Sequence, residues 1–267
     1  MHEHLDSFSR GHRFISYNRN MIERLIPTRW LPAWMRRAHP LVRFHLARRQ
    51  NNRLRYAVFG SAVGLFLFFG SLSLPLLFLF LWLAILVQQT TLAAGRVHET
   101  RDRRTWELLL ATPMPRPDLL LATWAGNYWQ LNRSWVMHIY RLLQGLAVIG
   151  VMVYSLWLAE FPVQHAALLL LAGLAAILLQ PLVESYFGGM VGLACAGWLG
   201  QPVGALGAAI LTVLLYWSAC VGLIVLLLFA NTGGIGLGQA LAVLVLPQIV
   251  PLALGYAAFR LALRVLI

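Results

Sequence analysis

The side chains in this sequence that could do chemistry are few and lopsided. The basic residues number 21 and all are arginine, against nine Asp and Glu, eight His and two Cys. With no lysine there is nothing to reach the β- and γ-phosphates from a P-loop or a kinase-type site. The chain is therefore no conventional P-loop ATPase. No Ser-His-Asp set, paired carboxylates, HExxH or redox-cofactor motif stands out, so an enzyme acting alone is not expected. Cys195 and Cys220 are 25 positions apart in apolar stretches and read as small buried hydrophobes, not as a disulfide framework or a metal knuckle. His2, Glu3, His4 and His12 lack metal-ligand spacing and read as solvated terminal side chains.

Three ionisable residues fall within or beside long apolar runs: His138, Arg141 and Glu184. On a helix, positions three apart share a face, so His138 and Arg141 point the same way. An unpaired charge in hydrocarbon is expensive, and Glu184 is expected to pair with Arg141 at similar depth. Such a pair is structural on the plain reading and a gate or substrate contact on the functional one.

The elements that must position these residues are membrane helices. Sixty per cent of the 267 residues are apolar and 11% are charged, against about 25% charged in a soluble domain. Positions 54 to 95 form an apolar stretch about twice the length needed to cross a ~30 Å hydrocarbon core. Pro75 marks the turn, giving spans over about 54–73 and 75–95. Positions 96–118 hold five Arg with Glu99, Asp102, Glu107 and Asp118 and predict a water-exposed loop. Within it Thr105 to Ala111 has good helix formers, and Pro113, Pro115 and Pro117 end any helix.

Trp124, Tyr128, Trp129 and Trp135 suit the headgroup layer. Further spans are predicted over about 138–159, from 163 into the 180s, over 203–230 and over 239–262. Their connections are Glu160-Phe161-Pro162, the small-residue stretch GGMVGLACAGWLGQP and the glycine-rich NTGGIGLG. Small residues at helical spacing, Gly60 with Gly64, Gly188 with Gly192, and Gly200, Gly204 and Ala208, suggest close helix approach. Pro181, Pro247 and Pro251 are expected to bend spans four and six.

Arg-rich short loops stay in the cytoplasm. Applied to the basic N-terminal segment, the 96–118 loop, Arg133, Arg141, Arg260 and Arg264, that rule predicts six spans with both termini cytoplasmic. The fold class is an all-α integral membrane protein of the cytoplasmic (inner) membrane. Twelve of the 21 Arg lie in the first 55 residues, a juxtamembrane pattern suited to anionic lipid rather than nucleic acid. Residues 1–53 form a basic amphipathic interfacial segment ahead of the transmembrane domain at 54–267. Trp30, Trp34 and Phe44 suggest that it packs against neighbouring helices instead of serving as a charged tail alone. No cleavable signal peptide is read at the start, and insertion would rely on the first span.

The stretch TRDRRTWELLLATPMPRPDLLLAT, positions 100 to 123, resembles the signature between the second and third spans of ABC-2 type transporter permeases, E-R-E-x-G-T-L-E-L-L-L-A-T-P-L-S-R-x-E-L-L-L-G-K. Arg101, Thr105, Glu107, Leu108, Leu109, Leu110, Ala111, Thr112, Pro113, Arg116 and Leu119 to Leu121 match, and Asp102 and Asp118 keep the acid. Arg104 replaces the usual Gly, Trp106 a Leu and Thr123 a Lys. HPLVRFHLARR, before span one, is similar to the family's N-P-L-V-x-R-E-L lead-in, and the first 37 residues have no counterpart.

The resemblance implies that the 96–118 loop carries a coupling helix docking on a separate ABC-type ATPase subunit. Arg101, Asp102, Arg104, Thr105, Glu107, Leu108, Leu109, Thr112 and Pro113 would form the contact. It also implies a second permease chain, as homo- or heterodimer, with ATP and magnesium held by the ATPase and no cofactor in this chain. The function implied is export of a substrate. A different reading is a membrane anchor that passes ATPase motion to another protein without transporting. Such transmitters need a sizeable outer domain, and the outer loops here are a few residues long. A secondary transporter or channel would want repeats or several buried carboxylates.

Overall fold

The computed structural model describes residues 31–36, 39–47, 60–61, 64, 73–102, 105–111, 114–157, 163–229 and 237–266. Among these the chain is all helix and turn. A 3-10 turn, Ala33–Met35, precedes α1 (Pro40–Ala47), α2 (Ser73–Asp102), α3 (Thr105–Leu110), α4 (Arg116–Asn132), α5 (Trp135–Trp157), α6 (Val163–Leu199), α7 (Pro202–Phe229) and α8 (Leu237–Leu266). Four of the described helices, α2, α6, α7 and α8, are long and apolar enough to cross a membrane. Four such helices fit a multi-pass membrane protein. The span predicted over 54–73 lies almost wholly outside the described residues, as do residues 1–30 with Trp30, the 160–162 connection and most of NTGGIGLG.

Helix α2 contains the predicted 75–95 span but runs on to Asp102, 30 residues in all. At 1.5 Å per residue that is ~45 Å, well beyond a hydrocarbon core, so its last turns stand clear of the apolar layer. The stretch expected to be loop at 96–102 is therefore helical. Thr90, Thr91 and Thr100 remain in the helix by hydrogen-bonding their hydroxyls back to carbonyls three or four residues earlier.

The largest departure from the sequence reading is in α6. The small-residue stretch expected to connect spans four and five forms, up to Leu199, the last third of α6, and the helix is continuous over 37 residues with Pro181 inside it. The real turn is Gly200-Gln201. Gly200 has φ +62°, a conformation that favours glycine, and Pro202 opens α7 where a missing N–H costs nothing. The small residues serve packing instead. A Cβ at Gly188 would come within 2.9 Å of Thr90 Oγ1, and one at Gly192 would collide with the Thr90 carbonyl oxygen. Among the described residues nothing stands within 4 Å of a Cβ at Gly60, Gly64, Gly200 or Gly204, and Gly188 with Gly192 is the predicted stripe seen as a helix contact. Pro247 and Pro251 likewise stay inside a continuous α8.

Helix α6 packs on α8, α2, α7, α5 and α4 and forms the centre of the described bundle. Two adjoining cores result. One gathers α1, α3 and α4 with the ends of α2, α6 and α8, and the other fills the space between α2, α5, α6 and α7. Outward from these, Leu142, Leu146, Ile149 and Val153 of α5 and Leu171, Leu174 and Leu178 of α6 are exposed apolar rows. Rows of that size suit acyl chains rather than water.

Of the four aromatics predicted for the headgroup layer, three lie on α4 and are core, while Trp135 opens α5 and is half-buried. Trp124, Tyr128 and Trp129 are buried because α1 and the 3-10 turn cover the face that α2 and α6 do not. Trp129 Nε1 donates to the Met35 carbonyl at 2.9 Å, and the Trp34 ring packs 5.9 Å from that of Trp124. The expected packing of the N-terminal segment is thus seen for Trp34, whereas Phe44 is mostly exposed.

Candidate functional site

Helix α3 occupies the position predicted for a coupling helix. It begins three residues after α2 ends, and Thr105 Oγ1 donates back to the Thr100 carbonyl at 3.1 Å. One side faces inward. Trp106 is buried with its Nε1 donating to the Leu266 carbonyl at 3.4 Å, and Leu109 packs against the same core. The other side, Glu107 and Leu110, is exposed. Of the leucines that match the family signature here, Leu109 faces the core and Leu110 the surroundings. Arg101 joins the end of α6, its Nη1 donating to the Ala196 carbonyl at 3.3 Å, while Asp102 is exposed. Arg104, Thr112, Pro113 and the Leu108 side chain lie outside the described residues.

The prolines expected only to stop a helix also start one. Pro115 caps α4 and Pro117 sits in its first turn, where the lost N–H has no helical partner anyway. Asp118 in that turn complements the helix dipole. Beside α3, a groove of about 330 Å³ opens between the end of α2 and the start of α7. Thr91, His98, Glu99 and Asp102 line one wall, Pro202 and Leu206 the other.

The three ionisable residues singled out in the apolar runs do not come together. His138 is exposed, with Nδ1 2.8 Å from the Ser134 carbonyl oxygen. Arg141 lies beside the Tyr128 phenol, whose burial pushes its pKa up while the Arg141 charge pulls it down. Glu184 takes no arginine; its Oε1 accepts the Tyr216 hydroxyl at 2.9 Å. The expected Glu184–Arg141 pair is replaced by these separate contacts: the carboxyl lies among Trp82, Tyr140 and Tyr216, while Arg141, one position on from Tyr140 along α5, turns toward Tyr128 of α4.

Sequence reasoning aimed at charges missed the neutral amides. Gln88, Gln89, Asn127, Gln130, Gln144 and Gln180 are all buried. Arg96 donates to Gln130, joining α2 to α4, and Gln144 donates to Gln180 at 2.6 Å, joining α5 to α6. Trp124 Nε1 donates to Ser185 Oγ at 3.1 Å, joining α4 to α6. Gln89 and Asn127 have no hydrogen-bond partner among the described residues. The run Gln88-Gln89-Thr90-Thr91, interrupting an apolar helix, was the signal available. Among the described residues no three His, Cys, Asp or Glu stand close enough to hold a metal ion, and Cys195 and Cys220 are free.

No protein-family model matches the chain, and no curated protein or solved structure matches it.

Proposed function

We propose that this chain is the permease subunit of an ABC-2 type ATP-binding-cassette exporter. It has six spans with both termini cytoplasmic in the inner membrane, and it works as a dimer with a second permease chain. A separate ATPase subunit, holding ATP and magnesium, supplies the energy. The observation that carries the reading is α3: a short helix beyond the end of a membrane-length helix, buried through Trp106 and open through Glu107 and Leu110. An apolar side chain beside a charge is a suitable grip for a protein partner.

On this reading, ATP binding draws two ATPases together and each pulls the α3 it holds. Trp106 ties α3 to the end of α8 and Arg101 ties α2 to the end of α6, so a displacement of α3 reaches three long helices at once. The bundle then shifts between inward and outward access. The groove between α2 and α7, largely apolar with His98, Glu99 and Asp102 on one wall, gives a substrate an approach next to the moving ends.

The test is the double substitution Glu107→Arg with Leu110→Asp, made on the two exposed positions so that the Trp106 side is left alone. An affinity-tagged wild-type chain brings down an ATPase with a P-loop, whereas the double variant inserts in the membrane but loses that companion. Equal recovery of an ATPase with both chains would contradict the coupling role.

A further inference from the structure

The strongest unassigned feature is the carboxyl of Glu184. It lies mid-helix on α6, three residues after Pro181, and is 1% exposed. Oε1 accepts the Tyr216 hydroxyl, while Oε2 has no hydrogen-bond partner among the described residues. Side chains from three other helices surround it: Trp82 of α2, Tyr140 of α5, and Tyr216 and Cys220 of α7. Trp82 Nε1 and Tyr140 Oη are also buried without a hydrogen-bond partner among the described residues.

Among the described residues no positive charge offsets this carboxyl. On α5 Arg141 lies against Tyr128. On α2 Arg96 binds Gln130 and Arg101 the Ala196 carbonyl. On α8 Arg260 and Arg264 are exposed near the helix end, and Tyr256 acts on Tyr186. On α4 the charged residues Arg116 and Asp118 open the helix, far from its buried centre. Helix α7 contains no Asp, Glu, Arg or His, and on α6 the other such residue is His165 in its first turn.

An ionised carboxylate offers about four lone-pair positions and, away from water, needs a cation or several donors. Among the described residues Glu184 accepts one hydrogen bond, from Tyr216, has the Trp82 indole N–H beside it and meets no cation. A neutral carboxylic acid fits the site, accepting from Tyr216 at Oε1 and carrying hydrogen on Oε2.

We infer that Glu184 is a proton-binding site at the junction of four helices, holding one proton on Oε2 while Trp82, Tyr140 and Tyr216 pack around it. When these helices part and water enters, the O–H bond breaks, the proton passes to water and the carboxylate remains. Because the packed arrangement binds the extra proton, acidification favours it and alkalinisation favours separation. The inference is independent of any ATPase partner.

Infrared spectroscopy of the intact chain in lipid vesicles at neutral pH tests it. The expected result is the C=O stretch of a protonated carboxylic acid, shifted in D2O and missing from Glu184→Gln. Tyr216→Phe gives a second assignment, because removing the donor moves the same band to higher frequency; it also serves if Glu184→Gln fails to insert. A wild-type spectrum without a protonated carboxyl band, or a band that neither variant alters, would overturn the proposal.

Discussion

At the scale of single residues, the close contact of α2 with α6 depends on the absence of a side chain at two positions. Gly192 packs so near the Thr90 carbonyl that a methyl group cannot be placed without moving backbone, whereas Gly204 faces open space. Gly192→Ala is therefore predicted to cost about 1–3 kcal/mol, the usual range for overpacking, and Gly204→Ala to be neutral. Thermal unfolding in detergent, followed by loss of the monodisperse peak, checks both. The pair also shows what was legible here. The Gly188/Gly192 spacing predicted close approach correctly, but an identical spacing at Gly200/Gly204 did not make a contact. Spacing tells which face is small and leaves open what stands opposite. Glu184 carries the same lesson, since depth alone suggested Arg141 as its partner. Rotation about the α6 axis brings Tyr216 to it instead.

At the scale of elements, hydropathy located the helix interiors and misplaced their ends. Helix α2 outruns its apolar run because Arg96, Val97, His98 and Thr100 are buried against neighbouring helices, packing that overrides their mixed helix propensity. Helix α6 absorbs its own predicted connection because glycines and alanines in a tight interface cost less than they would at a solvated position. The short α3 was readable from Thr105–Ala111, whereas Pro115 and Pro117, expected to end a helix, open α4 instead. That α4 would be enclosed was not readable, as a Trp-rich helix can equally well lie in headgroups. Its enclosure depends on the N-terminal arm, and the hydrogen bond from Trp129 Nε1 to Met35 is one tie between them. Trp129→Phe removes that bond together with part of the buried indole, with a predicted cost of about 2–3 kcal/mol. Limited proteolysis should cut the variant's arm near residues 31–36 faster than the wild type's, with the bundle left intact; equal rates would remove the arm's anchoring role.

At the scale of the whole molecule, two kinds of interior coexist. The exposed apolar rows on α5, α6 and α7 need an apolar surrounding, while amides and hydroxyls between α2, α4, α5 and α6 tie the helices together from within. Hydrogen bonds of this kind hold helices in register where lipid tails provide no hydrophobic contrast. At one end of the bundle α2, α6 and α8 finish and α3 is fastened across them. On the reading advanced above, that end faces the cytosol and meets the ATPase. Sidedness tests this most directly. With Cys195 and Cys220 replaced by alanine, a single cysteine at the exposed Glu107 position is treated with a membrane-impermeant maleimide in intact cells and in inverted membrane vesicles. Labelling in inverted vesicles alone is the predicted result, and labelling of intact cells would contradict the account.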